Sequence, residues 1–374
     1  MASSIGGWTN TRPCSPITSF FSTLRQRVPK GPASDGRALF VIGSRVRVTA
    51  TNKNKRVVMR KVIQVFVLAA AVFALQFLPQ TSFAGEQKAV LITGASTGIG
   101  RNMAERLARE GHFVYAGARK EKDLAELDAI ENIKAVRLDV TSQDDVDAAV
   151  ALITEEGRGL WGLVNNAGVA TSGTVAETED SDLDFVLNVN VNGVVRVTRA
   201  FTPLVVASKG RIVTTGSIAG ILSRPGGSAY SMSKHAMEAF ADSLAGEMAP
   251  AGVQVSLIEP GSYKSRIRRT TVARIASNVE AAGGTLTDEM KARMKSAAER
   301  EVTLKEPDAV SDAAMHALFS DAPRRRYMVV PDQSEADLTI RKAIEELVQL
   351  NEGHEFSYDR DQLVEMLDQA LASD

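Results

Sequence analysis

The chain has 374 residues, 44% apolar and 24% charged, a composition that excludes a disordered protein and leaves room for one large domain or two ordinary ones. Its net charge of −1 hides a split: residues 1–61 carry 12 Lys and Arg against one acid, Asp35, so the rest holds 32 basic against 44 acidic residues. An acidic body excludes a nucleic-acid partner, because binding a phosphate backbone needs a basic face.

The one cysteine, Cys14, lies in the basic head, so the body has no disulfide, no thiol nucleophile and no cysteine zinc cluster. Its histidines (His112, His235, His316, His354) are scattered, with no two at helical i,i+4 spacing. No metal site is expected.

In chain order, residues 1–58 are rich in Ser, Thr, Arg and Gly, without a period of 3.6 or 2, and no packed core is expected there. Met59-Arg60-Lys61, an apolar run over 62–78 and Pro79-Gln80-Thr81-Ser82-Phe83-Ala84 then have the layout of a secretory signal: basic flank, apolar stretch, small-residue cleavage site. The run is slightly short of the roughly 20 residues wanted for a span. Three readings stand: a cleaved signal beginning at Met59, a retained membrane anchor, or a buried core helix. Cleavage would leave a mature start near Gly85. As a span, the run would have Lys53, Lys55, Arg56, Arg60 and Lys61 holding its N-terminal side in the cytoplasm. The expected location is therefore at a membrane or beyond it.

From Lys88 strands and helices alternate. Strands are expected at Lys88–Thr93, Phe113–Gly117, Ile133–Leu138, Gly162–Asn165, Arg211–Thr215, Gln254–Ile258 and Tyr327–Val330. Helices are expected at Ile99–Glu110, Lys122–Asp128, Gln143–Glu156, Leu183–Ala207 (bent at Pro203) and Ala229–Met248. Continuously apolar strands separated by helices predict an α/β fold, a Rossmann-type doubly wound parallel sheet in a single catalytic domain. Two helical segments stand outside the repeat: a charged insertion, Arg266–Arg300, and a tail of amphipathic helices, Ala336–Glu352 and Arg360–Ala372, expected to pack on the domain. The expected divisions are 1–58, 59–84, 85–333 and 334–374.

The first strand runs into Thr93-Gly94-Ala95-Ser96-Thr97-Gly98-Ile99-Gly100 and then a helix. Glycines there let the backbone approach a pyrophosphate while the helix N-terminus offers it free N–H groups, the arrangement of a dinucleotide site. Tyr230 and Lys234, four apart, share one helix face. A tyrosine with a pKa near 10 is a poor base, and an adjacent ammonium together with the helix N-terminus favours its phenolate. Ser217 follows a strand at its carboxyl end, where open α/β sheets bind ligands. The second strand ends in Ala116-Gly117-Ala118-Arg119-Lys120, with no acid to take ribose hydroxyls and a guanidinium able to fork onto a 2′-phosphate. This favours NADP(H) over NAD(H).

Together, the glycine turn, Asn165-Asn166-Ala167-Gly168, Ser217, Tyr230-x-x-x-Lys234 and Pro260-Gly261 resemble the short-chain dehydrogenase/reductase family over roughly Lys88 to Val330. The resemblance implies hydride transfer between a nicotinamide and an alcohol or carbonyl, with Tyr230 as acid and base, Lys234 lowering its pKa and holding the ribose, and Ser217 binding the substrate oxygen. It implies Asn190 as a support of the proton relay, with Asn188 and Asn192 as neighbouring alternatives. Cofactor contacts are implied at Gly94, Ser96, Thr97, Gly98, Ile99 and Gly100, at Asp139 and Val140 beside the adenine, at Asn165 beside the ribose, and at Pro260, Gly261 and Ser265. The order Tyr263-Lys264-Ser265 looks like the branch acting on retinoids and steroids, whereas Arg266, Arg268 and Arg269 sit poorly with a purely apolar substrate. A homo-oligomer is expected from the family. Two other classes are weighed: a non-catalytic NADP(H)-binding sensor or scaffold at a membrane, opposed by the presence of all four catalytic residues, and an extended-type epimerase or dehydratase, opposed by the glycine spacing.

Overall fold

Seven strands form one sheet in the order β3-β2-β1-β4-β5-β6-β7, every neighbouring pair parallel. They are β1 (Ala89–Ile92), β2 (Phe113–Ala118), β3 (Ile133–Arg137), β4 (Gly162–Asn165), β5 (Arg211–Thr215), β6 (Gln254–Pro260) and β7 (Arg326–Val329). This is a computed structural model that describes residues 87–372. The apolar run at 62–78 and the segments around it lie outside the described residues. Among the described residues no helix is long and apolar enough to cross a membrane.

The continuous apolarity of the strands has a direct cause: both faces of the sheet are covered. In β1, Val90 and Ile92 face a core shared with α1 (Gly98–Arg109) and its Met103, Ala104 and Leu107; Ala89 and Leu91 face a second core built from α3 (Gln143–Glu156) and α5 (Val194–Ala207). All four β1 side chains are buried. α2 (Glu121–Asp128) connects β2 to β3, and α6 (Ser228–Met248) connects β5 to β6. The doubly wound Rossmann architecture is therefore as the sequence predicts.

Three features differ from expectation. The long helix before β5 is interrupted upstream of Pro203: α4 (Asp180–Leu187) passes through a π-helical turn, Asn188–Gly193, into α5. Gly193 is why the turn fits, since a Cβ there would lie 2.8 Å from Val140 Cγ2. A helix absent from the sequence reading, α9 (Asp308–Phe319), follows the charged insertion and buries Val310, Ala314, Ala317 and Leu318 against the sheet. The insertion is two helices, α7 (Ile267–Ala281) and α8 (Asp288–Thr303), parted at Gly283 with φ +78°. The tail forms α10 (Gln333–Asn351) and α11 (Arg360–Leu371), but α10 buries only Thr339 and α11 buries no residue. Its apolar positions, among them Ile344, Leu347, Leu350, Leu367 and Leu371, are exposed.

Candidate active site

The strand order reverses between β1 and β4, and the predicted site residues gather at the carboxyl ends of the strands around that switch. The Thr93 hydroxyl accepts the N–H groups of Asn166 and Ala167, each at 3.0 Å, and so ties the turn after β1 to the turn after β4. Gly98 has φ +59°, and a Cβ on it would stand 3.0 Å from Ser265 Cβ. A Cβ on Gly100 would stand 2.4 Å from the Gly94 carbonyl oxygen, a contact with backbone that cannot give way. Thr97 starts α1 without a side-chain cap, and its first turn has no acid, so the N-terminal N–H groups and their partial positive charge face the turn unopposed. Ser96, Thr97, Gly98 and Ile99 are only partly covered. A cradle that a single methyl would fill, at an uncapped helix start, fits a dinucleotide pyrophosphate.

Arg119 leaves the end of β2 with its side chain 57% exposed, and its Nη1 lies 3.3 Å from Asp139 Oδ2. The two residues expected at opposite parts of an adenosine phosphate are thus paired with each other. Burial raises the Asp139 carboxyl, but hydrogen bonds from Thr141 and the Arg119 guanidinium outweigh it and hold it below the usual range. Val140 is buried, and its carbonyl accepts from Arg196 Nη1 at 2.6 Å.

Asn165 and Asn166 divide by the pleat of β4. Asn165 is buried and its Nδ2 donates to Thr198 Oγ1 in α5 at 2.8 Å, which turns it away from the glycine cradle. Asn166 takes the site face. Its Nδ2 donates to the carbonyls of Thr93 and Gly94, and its Oδ1 accepts from Thr215 Oγ1. The sequence reading put Asn165 rather than Asn166 beside the ribose, and two-residue strand periodicity is the signal that would have separated them.

Ser217 follows β5, accepting the Ala219 N–H at 3.1 Å, with its hydroxyl 3.4 Å from the Pro260 carbonyl. Tyr230 lies in the first turn of α6. Burial raises its pKa, and the Ser217 hydroxyl and Arg268 guanidinium act in the opposite direction. Lys234, almost fully buried, donates from Nζ to the Thr215 carbonyl at 2.8 Å and stands 5.7 Å from the Tyr230 ring centre. Burial pulls the ammonium down to about 8, against the opposing charge of Glu238. The Lys234 ammonium is thus directed to a backbone carbonyl, and the cation acting on Tyr230 against the pull of burial is Arg268.

Asn190 sits in the π-helical turn, buried. Its Oδ1 accepts from Val169 N, while its Nδ2 donates to the Val169 carbonyl and to Ser233 Oγ, each at 2.9 Å. Gly168 lies between it and the lysine: a Cβ there would be 3.6 Å from Asn190 Oδ1 and 4.0 Å from Lys234 Nζ. Both amide hydrogens being committed, the side chain acts by pinning the β4 loop to α6. Asn190→Ala is expected to cost about 3 kcal/mol, since it strands three polar groups on two residues, Val169 and Ser233. Denaturant unfolding checks this; a loss under about 1 kcal/mol would mean that water replaces the amide.

The loop after β6 is held by β7, by the tail and by the start of α7. Gly261 N–H donates to Val329, Ser262 N–H donates to Glu335 Oε2 at 2.9 Å, and Ser265 Oγ accepts from Ile267 N. Ser265 stands opposite Gly98, while Gly261 faces Glu335, Pro331 and Val330. Among the described residues no cluster suited to a metal ion occurs.

This fold with this site defines a nicotinamide-dependent oxidoreductase, and a family model described as short chain dehydrogenase matches residues 88–276. The chain belongs to that family. It is 37% identical over 266 residues to the mitochondrial D-beta-hydroxybutyrate dehydrogenase of Bos taurus, covering 64% of this chain and 76% of the relative. It is also 37% identical over 258 residues to retinol dehydrogenase 7 of Rattus norvegicus, covering 65% and 80%. A solved short chain dehydrogenase/reductase from Burkholderia phymatum, in complex with NAD, superposes with a TM-score of 0.61 at 26% identity, over 74% of this chain and all of that one.

Proposed function

We propose that the chain is an NADP(H)-dependent enzyme acting on an alcohol or its carbonyl, with Tyr230 giving and taking the proton. The reading rests above all on the convergence of Ser217, Tyr230 and Lys234 at the end of β5 beside the glycine cradle. A bound nicotinamide supplies the hydride chemistry. The cradle from Gly94 to Gly100 and the start of α1 would hold the pyrophosphate, Arg119 and Lys120 the 2′-phosphate, Asp139 and Val140 the adenine, and Pro260, Gly261 and Ser265 the far wall.

The protein's own part is positioning and proton handling. Ser217 offers a hydroxyl to the substrate oxygen, and Tyr230 moves a proton at that same oxygen. Lys234 spends one of its three donors on Thr215, leaving two for a ribose and for the tyrosine. Asn190 keeps the β4 loop and α6 in register behind them. Residues 62–78 would place the enzyme at a membrane or export it, and the family resemblance suggests a homo-oligomer.

Cofactor choice turns on the end of β2. Fluorescence titration of the full-length chain is expected to give NADPH an advantage over NADH of about tenfold or more, and Arg119→Ser is expected to erase it. The exposed Arg119–Asp139 pair is weak enough to yield to a phosphate. Tighter binding of NADH would overturn the assignment of Arg119 and leave the oxidoreductase reading in place.

A further inference from the structure

The loop that follows β6 reaches two parts of the site at once. At one end the Pro260 carbonyl lies 3.4 Å from the Ser217 hydroxyl. At the other, Ser265 packs against the first turn of α1, where a Cβ on Gly98 would stand 3.0 Å from Ser265 Cβ. The backbone between them has N–H groups to satisfy. Those of Gly261, Tyr263 and Lys264 go to main-chain carbonyls, on Val329 at 2.8 Å, Gly261 at 3.0 Å and Lys305 at 2.8 Å. The Ser262 N–H goes to a side chain instead. Glu335 Oε2 accepts it at 2.9 Å, from the first turn of α10 and 73 residues further along the chain.

The carboxylate is held where that bond needs it. Asp332 caps α10 by accepting the Glu335 N–H at 3.1 Å, and the Glu335 carbonyl accepts from Thr339 Oγ at 2.7 Å. Thr339 is the buried residue of α10, so this turn is where the helix is seated most deeply on the body. Just before the helix, the Pro331 carbonyl accepts from Lys305 Nζ at 2.5 Å, and Lys305 is the residue whose own carbonyl takes the Lys264 N–H. Gly261 is fitted to the same carboxylate: a Cβ on it would run into Glu335 Oε2, and would stand 3.0 Å from Pro331 Cδ and 3.1 Å from Val330 Cγ1. A hydrogen bond to an ionised acceptor is shorter and stronger than a neutral one, and a loop that leans on it shifts when it is cut.

We infer that Glu335 is a positioning residue for the cofactor: through Ser262 it sets the Pro260–Ser265 loop between the glycine turn and Ser217, so that α10 completes the end of the pocket where a nicotinamide must lie. The inference rests on the oxidoreductase reading above, which makes this loop the far wall of the cofactor site. It gives the tail helix a part in cofactor binding.

The test is calorimetric titration of the full-length protein with NADPH and, separately, with adenosine 2′,5′-bisphosphate, which carries the adenine and the 2′-phosphate but no nicotinamide. Should the wild type favour NADH, NADH and AMP replace the two. Glu335→Ala is expected to weaken NADPH about tenfold, the worth of one hydrogen bond to a charged group, while the fragment stays within about twofold of its wild-type affinity. A general loosening of the fold would weaken both alike. Glu335→Gln keeps an accepting oxygen and is expected to recover most of the loss. Gly261→Ala is expected to displace the carboxylate and weaken NADPH by itself, yet to add little once Glu335 is already alanine.

An unchanged NADPH affinity in Glu335→Ala overturns the inference and leaves the oxidoreductase reading standing. So does equal weakening of NADPH and the fragment, a Glu335→Gln variant as weak as Glu335→Ala, or a Gly261→Ala effect that persists in full beside Glu335→Ala. If far-UV circular dichroism shows that Glu335→Ala has not folded, Glu335→Asp, one methylene short of Ser262, takes its place with the same expectations. A folded wild-type protein that binds neither NADPH nor NADH removes the oxidoreductase reading and this inference with it.

Discussion

Tyr230→Phe is expected to lower kcat about a thousand-fold while leaving NADPH affinity within a few-fold of the wild type. Phenylalanine keeps the ring that fills the first turn of α6, so the pocket keeps its shape. What goes is one hydroxyl, and positioned proton transfer contributes roughly 10² to 10⁴ in rate. Burial holds the hydroxyl protonated above its ordinary range, opposed by Ser217 and Arg268. Carbonyl reduction, which consumes that proton, is accordingly expected to persist to high pH, whereas alcohol oxidation should rise with pH. Stopped-flow and steady-state rates with NADPH measure both. A variant within a few-fold of wild type would remove Tyr230 from its role and leave Ser217 as the candidate that acts alone.

Glu259→Gln is expected to stabilise the protein increasingly as the pH rises from about 5 to 8. Glu259 is buried in β6, close to Glu238 of α6, and its carboxyl is pushed up to about 8, first by burial and then by the charge and hydrogen bond of Glu238. Arg326 reaches Glu238 at 3.0 Å and Asp242 at 2.7 Å, which is too little positive charge for three carboxylates. Glu238 Oε1 and Glu259 Oε1 are buried without a donor, and a proton on Glu259 supplies one. In the unfolded chain this carboxyl ionises near its ordinary value of 4.5, and in the folded protein near 8. Between those values the fold binds a proton that the unfolded chain has released, so each pH unit weakens the fold by up to about 1.4 kcal/mol. Glutamine keeps the hydrogen-bond donor and has nothing to titrate. Unfolding of both proteins at pH 5, 6.5 and 8 gives the difference; a difference that stays constant with pH would mean Glu259 is ionised in the fold, with Arg326 serving both acids.

The parallel sheet was legible because its central strands β1 and β4 are buried on both faces, which makes continuous apolarity a strong signal between helical periods. α9 was readable on the same terms, with Val310, Ala314 and Ala317 at helical spacing, but it follows directly on a charged insertion whose pattern it was absorbed into. The π-helical turn was not readable: nothing in the spacing of its residues marks the close approach of Gly193 to Val140, distant in sequence. In the site, spacing brought Ser217, Tyr230, Lys234 and Asn190 to one place. Spacing cannot say that the Lys234 ammonium is directed to the Thr215 carbonyl, nor that the Arg268 guanidinium acts on Tyr230. That arginine lies thirty-eight residues further along, in a segment with no motif to mark it.

The strand order has a consequence for how the protein is made. β1 finds β2 within a few residues of its own helix, but its other neighbour is β4, with Val90 opposite Gly162. During synthesis β2 and β3 are complete while one side of β1 still offers unpaired N–H and C=O groups along Ala-Val-Leu-Ile, with no charge or proline to blunt it. Closing that gap means closing a long loop, the slow kind of step in folding. The crevice that serves the chemistry is therefore also the seam along which the nascent chain is most open to pairing with another, and Thr93, which grips Asn166 and Ala167 across it, is the first polar clasp available to shut it.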